Sequence, residues 1–202
     1  MRCEAVCIGA SHGGFDLLLG TLGELPADFP VPILICLHLP VGSGTDIAAH
    51  LNGRSALRVV EVQDKFHARA GYAYVAPGGY HLLVERDASL SLSADAPVLH
   101  ARPSIDVLLE SAALAWGNRL IAALMTGASS DGARGLATAQ RCGAITIVQD
   151  PTSAVAPVMP QAALDTMQPD HVIAPDALAA TLLALLDPRS RPPTPNGTRI
   201  DG

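Results

Sequence analysis

Short apolar segments alternate along the chain with segments of helical periodicity, and this alternation constrains the fold more than any other feature. The predicted strands are 4–8, 33–37, 57–62, 120–125 and 144–148, and the predicted helices are 15–22, 46–51, 104–116, 133–141 and 176–186. Parallel neighbouring strands need long crossover connections, and such crossovers are nearly always right-handed. The sequence therefore predicts an α/β fold with a doubly wound, mostly parallel sheet flanked by helices.

The pattern changes between residues 72 and 93, where three short strand-like segments are separated by tight turns. This spacing predicts a local antiparallel hairpin excursion from the main sheet. A length of 202 residues is enough for one well-filled domain. We expect that domain to span residues 1–186, and we expect a disordered tail over 187–202, where Pro, Arg, Ser, Thr, Asn and Gly dominate.

Charge and composition argue against several classes of partner. The formal net charge is −6 and Lys65 is the only lysine, so a basic surface for nucleic acid is not expected. No apolar run approaches the roughly 20 residues of a bilayer span, and the N-terminus runs into a strand-like segment without a leader, so we expect a cytoplasmic protein without membrane insertion. The four cysteines form no C-x-x-C pair, which favours free thiols and no metal or cofactor.

Three of the predicted strands end near residues that can carry out acyl transfer. Ser11 follows the first strand, His38 follows the second, and Asp131 lies in the Gly-rich loop after the strand at 120–125. A hydroxyl, an imidazole and a carboxylate can serve as nucleophile, general base and orienting acceptor. Each residue also has a structural alternative: Ser11 and Asp131 could cap helices, and His38 could bond a backbone carbonyl.

The loop around Ser11 has the form Gly9-x-Ser11-x-Gly13, which is typical of a nucleophile elbow but weak as a five-residue pattern. The chain order Ser, His, Asp differs from the order Ser, Asp, His of α/β-hydrolases. Backbone N–H groups near His12 and Gly13, at the start of the next predicted helix, are candidates for an oxyanion site.

At the level of motifs, the chain resembles the catalytic domain of the chemotaxis receptor methylesterase CheB over about residues 5 to 186. The matching segments are Ile8-Gly9-Ala10-Ser11-x-Gly13-Gly14, x-His38-x-Pro40, Ala101-Arg102-Pro103-Ser104-Ile105-Asp106-Val107-Leu108, Leu124-x-Thr126-Gly127, Asp131-Gly132-Ala133-x-Gly135-Leu136, Gln149-Asp150-Pro151 and Met159-Pro160-x-Ala162-Ala163. The resemblance implies a serine esterase that hydrolyses glutamyl methyl esters on chemoreceptor cytoplasmic helices, and that also deamidates glutamine in some members. It implies a triad of Ser11, His38 and Asp131.

Two residues depart from the pattern of that family. His12 stands where the family usually has Thr, and Ala128 stands where it usually has Met. We therefore expect His12, Gly13 and Ala128 to shape the oxyanion site and the substrate cleft, with His12 itself an exposed spectator. The well-known members carry an N-terminal receiver domain, whereas catalytic-type sequence begins here within the first few residues. We expect the site to be constitutively accessible or controlled by a separate regulatory protein.

Two other classes of function stay open at this point. A catalytically weak or inactive methylesterase-like module could bind receptors without turnover. A dinucleotide-binding oxidoreductase would also place a Gly-rich turn after its first strand. However, the segment from Gly9 to Gly14 is not G-x-G-x-x-G, and the second strand ends at His38 rather than at an acidic residue.

Overall fold

The computed structural model describes residues 3–38 and 44–187, with only the backbone for residues 44 and 45. The strands are β1 Ala5–Ala10, β2 Ile33–Leu37, β3 Arg58–Glu61, β4 Phe66–His67, β5 Tyr72–Val75, β6 His81–Val84, β7 Ser89–Ser93, β8 Leu120–Leu124, β9 Ile145–Gln149 and β10 His171–Ile173. The α-helices are α1 Gly14–Glu24, α2 Gly44–Asn52, α3 Ile105–Trp116, α4 Ala133–Arg141, α5 Val158–Thr166 and α6 Leu178–Leu186.

Seven strands form one parallel sheet in the order β10-β9-β8-β1-β2-β5-β3. The chain builds outward from β1 on the β2 side and then returns to add β8 on the other side. The strand order therefore reverses between β1 and β8, and such a reversal opens a crevice at the carboxyl edge of the sheet. The predicted doubly wound α/β fold is confirmed.

The central strands are buried on both faces, which explains why they read as continuous apolar runs rather than as alternating ones. All six residues of β1 are buried. Ala5 and Cys7 pack into the core that includes α3 and α4 side chains, whereas Val6 and Ile8 pack into the core that includes α1 and α6 side chains. This burial on both faces holds the carboxyl end of β1 at the middle of the sheet edge.

The predicted antiparallel excursion is present, as a separate sheet of order β4-β7-β6. Its β6–β7 hairpin starts at His81 rather than at residue 72, because β5 lies in the main sheet and pairs in parallel with β2 and β3, while β4 joins the hairpin from a position before β5. Ala73, Tyr74 and Val75 are fully buried there. The turn at 77–79 resembles a hairpin connection in sequence, and only packing decides that the chain leaves the main sheet at this point.

The short elements β4, β10 and α5 were not expected from the sequence. The proposed tail falls outside the described residues except for Asp187. Within residues 3–38 and 44–187, no helix combines the length and the apolar character needed to cross a membrane.

Candidate active site

The three sequence-predicted site residues lie at the carboxyl edge of three neighbouring strands. Ser11 follows β1 and His38 follows β2. Because the register places Ala10 opposite Leu37, Ser11 and His38 come next to each other at the strand ends. The His38 N–H donates to the Ala10 carbonyl at 3.2 Å. On the other side of β1, the Ser11 N–H donates to the Thr126 carbonyl at 2.9 Å. Thr126 lies in the loop after β8 that also carries Asp131.

His38 and Asp131 form a direct hydrogen bond, with 2.7 Å between the imidazole Nε2 and the carboxylate Oδ2. The Asp131 side chain is fully buried and the His38 side chain is 15% exposed. Because Nε2 is bound to the carboxylate, Nδ1 is the ring nitrogen left to accept a proton from a hydroxyl. Among the described residues no hydrogen bond joins Ser11 Oγ to His38, and such bonds in enzymes without substrate are often long.

The N-terminus of α3 holds the Asp131 carboxylate. Ser104 Oγ donates to Oδ1 at 2.8 Å, and the N–H groups of Ile105 and Asp106 donate to Oδ2 at 2.7 Å and to Oδ1 at 3.1 Å. Burial opposes ionisation, but the hydrogen bonds from His38, from these two N–H groups and from Ser104 outweigh it, so the pKa of Asp131 is lowered. The carboxylate is therefore charged at neutral pH and fixed in position.

Asp106 holds the turn that follows Asp131. Its Oδ1 accepts from the N–H of Gly132 at 2.9 Å and of Gly135 at 2.7 Å. Gly132 has φ +99°, and a Cβ there would lie 2.5 Å from Leu124 Cδ1, so this turn needs glycine. Burial raises the pKa of Asp106, and the Gly135 N–H opposes that rise. Asp106 thereby fixes the backbone next to the buried carboxylate.

The loop around Ser11 is held by close backbone packing. A Cβ on Gly127 would lie 3.0 Å from Ser11 Cβ, and a Cβ on Gly13, where φ is +80°, would lie 2.6 Å from Val155 Cβ. Thr126 Oγ1 donates to the His12 carbonyl at 2.9 Å and accepts from the Ala156 N–H at 2.9 Å. The hydroxyl of Thr126 therefore ties the Ser11 loop to the segment before α5.

The residues expected to shape the oxyanion site lie at two places on this rim. His12 and Gly13 precede α1, where N–H groups point out of the helix and attract negative charge. The His12 side chain is exposed, and its carbonyl accepts from Thr126. Ala128 is exposed in the loop between Thr126 and Asp131.

Sequence reasoning missed the roles of Ser104, Asp106 and Thr126 at this rim. Ser104 was expected only as the cap of α3, a role it also has, because its Oγ accepts from the Val107 N–H at 3.4 Å. The capping pattern was the available signal, and it does not reveal that the same hydroxyl reaches a carboxylate 27 positions further along the chain. Contacts between residues this far apart depend on the fold.

A parallel α/β sheet with a hydroxyl, an imidazole and a buried carboxylate at its carboxyl edge is typical of hydrolytic enzymes. The family model described as CheB methylesterase matches residues 6–182. The chain belongs to the CheB methylesterase family.

Known relatives agree in fold and in sequence. The crystal structure of the Thermotoga maritima CheB methylesterase catalytic domain superposes with a TM-score of 0.87 at 29% identity, covering 92% of this chain and 100% of that one. A Leptospira interrogans protein is 36% identical over 185 residues, covering 92% of this chain and 96% of its own length, and is provisionally named a protein-glutamate methylesterase/protein-glutamine glutaminase. A Clostridium acetobutylicum protein with the same two activities in its name is 36% identical over 183 residues, and the match spans 53% of its length.

Proposed function

We propose that this chain is a cytoplasmic serine esterase that removes methyl groups from glutamyl methyl esters on the cytoplasmic helices of chemoreceptors. The observation that carries the proposal is the 2.7 Å bond between His38 and the buried Asp131 carboxylate, next to Ser11 on the neighbouring strand end. The names of the relatives supply the substrate class, since they specify glutamate and glutamine residues of proteins.

In the proposed reaction, Ser11 Oγ attacks the ester carbonyl carbon while His38 Nδ1 takes the hydroxyl proton. The carbonyl oxygen becomes an oxyanion that the N–H groups of His12 and Gly13 can stabilise. The bond to the methoxy group then breaks, and His38 returns the proton to this leaving group. Methanol departs, and the glutamyl group stays bound to Ser11 as an acyl-enzyme. Water attacks this ester in the same way and releases the free glutamate side chain. A glutamine side chain would release ammonia in the first step.

The role of Asp131 in this reaction is to orient the imidazole and to stabilise its protonated form. The carboxylate is charged because four hydrogen-bond donors surround it. Its bond to Nε2 selects the tautomer in which Nδ1 is free to accept a proton. The side chains of His12 and Ala128, both exposed at the rim, would contact the receptor, whereas the His12 backbone N–H faces the oxyanion.

The direct test uses a cytoplasmic receptor fragment that carries radiolabelled methyl esters on its glutamate side chains. We expect the chain to release labelled methanol and, in acid-quenched samples, to carry an acyl adduct on the peptide that contains Ser11. Binding of the fragment without methanol release would instead indicate the catalytically weak receptor-binding module. Methanol release without an adduct at Ser11 would contradict the acyl-enzyme mechanism.

Ser104→Ala is expected to lower kcat on the methylated fragment by about tenfold with little change in KM, because Asp131 loses a charge-assisted hydrogen bond. The free energy of unfolding should also fall by about 1 kcal/mol through loss of the α3 cap. Steady-state kinetics and thermal unfolding measure the two effects. Ser104→Thr, which keeps the hydroxyl, should restore most of kcat. If Ser104→Ala and Ser104→Thr had the same kcat, Ser104 would not position Asp131.

Two exposed valines lie next to the Ser11 loop and suit a substrate that is part of a helix. Val155 is 68% exposed and Val158 is 51% exposed. The segment that carries them is tied to Gly127 by two backbone hydrogen bonds of 2.9 Å, and Gly127 packs against Ser11. An apolar surface beside the nucleophile can pack against the apolar face of an amphipathic helix.

Val158→Ser is expected to raise KM for the methylated receptor fragment about fivefold, because an exposed valine that packs against the receptor contributes on the order of 1 kcal/mol. The change in kcat should be small, since Val158 does not touch the reacting groups. Val172→Ser is the matched control, because Val172 is 50% exposed and lies on the edge strand β10, outside the loops that surround Ser11. An equal KM in the two variants would show that Val158 is not part of the receptor-binding surface.

A further inference from the structure

A cavity lies beside β3, the strand at one edge of the main sheet. It encloses about 230 Å³, and its lining includes Arg58, Glu61, Phe66, Arg69, Tyr72 and Tyr74. β3 is three strand positions away from β1, which corresponds to about 14 Å across the sheet. The lining contains none of the residues assigned above to the esterase site.

One carboxylate oxygen in this lining is buried without a partner. Glu61 Oε2 has no hydrogen bond within the part of the chain that the structure describes, although almost none of its surface is exposed. Buried polar atoms are nearly always hydrogen-bonded, so each exception needs an explanation. A carboxylate can only accept hydrogen bonds, and the missing partner must therefore be a donor.

Two arginines face the same cavity without pairing with Glu61. The guanidinium carbons of Arg58 and Arg69 lie 5.8 Å and 4.5 Å from the centre of the Tyr72 ring, and Arg69 Nη2 donates to Tyr72 Oη at 3.0 Å. Among the described residues, neither arginine forms an ion pair with Glu61 or another acid. The lining therefore combines two guanidinium groups and a carboxylate that do not pair with one another.

The walls between these charges are aromatic. Phe66 is 37% exposed and lies 6.0 Å from Tyr74 between ring centres, and Tyr72 stacks on Tyr74 at 5.8 Å. Drug-sized ligands usually occupy pockets of about 300–1,000 Å³, so 230 Å³ favours something smaller. The volume suits a molecule of amino-acid size better than it suits a nucleotide.

We propose that this cavity binds a small zwitterion of the amino-acid type that carries an apolar side chain. The ammonium group donates to the Glu61 carboxylate, the ligand's own carboxylate accepts from the Arg58 guanidinium, and the apolar side chain packs against Phe66. Each of the three features of the cavity then has a partner of matching chemistry. This inference does not rest on the proposed esterase function.

Isothermal titration calorimetry on the whole chain tests the inference, with L-phenylalanine and L-leucine as the ligands. We expect saturable binding of at least one of them. Glu61→Gln keeps side-chain size and Arg58→Gln keeps a polar side chain, each removes one charge, and each should weaken binding about tenfold or more. Glu24→Gln and Arg54→Gln are matched controls on exposed residues outside the cavity and should bind like the wild type. Thermal unfolding measurements check that all four variants fold.

Two analogues test the requirement for both charges. Phenethylamine lacks the carboxylate and 3-phenylpropanoate lacks the ammonium group, and each should bind at least tenfold more weakly than L-phenylalanine. The absence of saturable binding by both amino acids would overturn the inference. Equal affinity of either analogue and L-phenylalanine, or wild-type affinity in Glu61→Gln and Arg58→Gln, would also overturn it.

Discussion

Ser11→Ala is expected to lower turnover of a methylated receptor fragment by about 10⁴- to 10⁶-fold, because the acyl-enzyme cannot form without the hydroxyl. KM and the melting temperature should change little, since among the described residues no side-chain hydrogen bond of Ser11 is lost. The loop keeps its shape through backbone contacts, namely the Ser11 N–H to Thr126 and the Gly14 N–H to the Ser11 carbonyl. Methanol release under single-turnover conditions measures the effect.

The matched control for this variant is Ser89→Ala, which removes a hydroxyl from the separate antiparallel sheet. It should retain wild-type turnover. Equal rates for Ser11→Ala and the wild type would end the proposal that Ser11 is the nucleophile. Because the family assignment rests on the sequence match and the fold, it would survive that result, and the catalytic group would then have to lie elsewhere on the rim.

Asp131→Asn is expected to lower kcat by about 10⁴-fold at neutral pH, which is the magnitude known for the equivalent change in a Ser-His-Asp protease. The carboxylate accepts four hydrogen bonds, two at each oxygen. An amide group replaces one oxygen by a donor, which then faces N–H or O–H donors, and it cannot stabilise a protonated His38. The variant should also lose about 1–3 kcal/mol of unfolding free energy, since buried donors are left without an acceptor.

Single-turnover kinetics and chemical denaturation separate the two effects of this change. Asp165→Asn is a suitable control, because Asp165 is exposed and its Oδ1 accepts from Gln161 within α5. It should leave kcat and stability within the error of the wild type. An Asp131→Asn variant that folded and kept more than about a tenth of the wild-type kcat would show that Asp131 is structural, as a helix-capping residue is.

Most strands of the main sheet and most of its helices could be predicted because their signals are local. A strand buried on both faces is a short apolar run, and β2 was predicted at its observed bounds, Ile33–Leu37. Ser104 was recognised as the cap of α3 because its cap role depends on residues within one turn. Local signals also explain why β5 was assigned to the antiparallel excursion. The turn at 77–79 has the same sequence pattern whether the next strand pairs with β5 or leaves the main sheet.

The candidate site could be predicted only in outline. Ser11, His38 and Asp131 were selected as candidates because ligands collect at the carboxyl ends of parallel strands, and the structure places these three residues at that edge of neighbouring strands. Two sets of hydrogen bonds were not predicted: those from the N-terminus of α3 to the Asp131 carboxylate, and the one from the Gly132 N–H to the Asp106 carboxylate. Both join segments about 25 residues apart, and no periodicity in either segment indicates the other.

By itself, the sequence determined the α/β class, the places where strands end and the three groups that acyl transfer needs, because apolar periodicity and turn residues act over a few positions. Only the tertiary structure decided that β1 lies between β2 and β8, that His38 reaches Asp131, and that Glu61 shares a cavity with Arg58. These outcomes depend on which strands become neighbours. Strand order is set by the packing of the whole core, to which residues far apart in the chain contribute together.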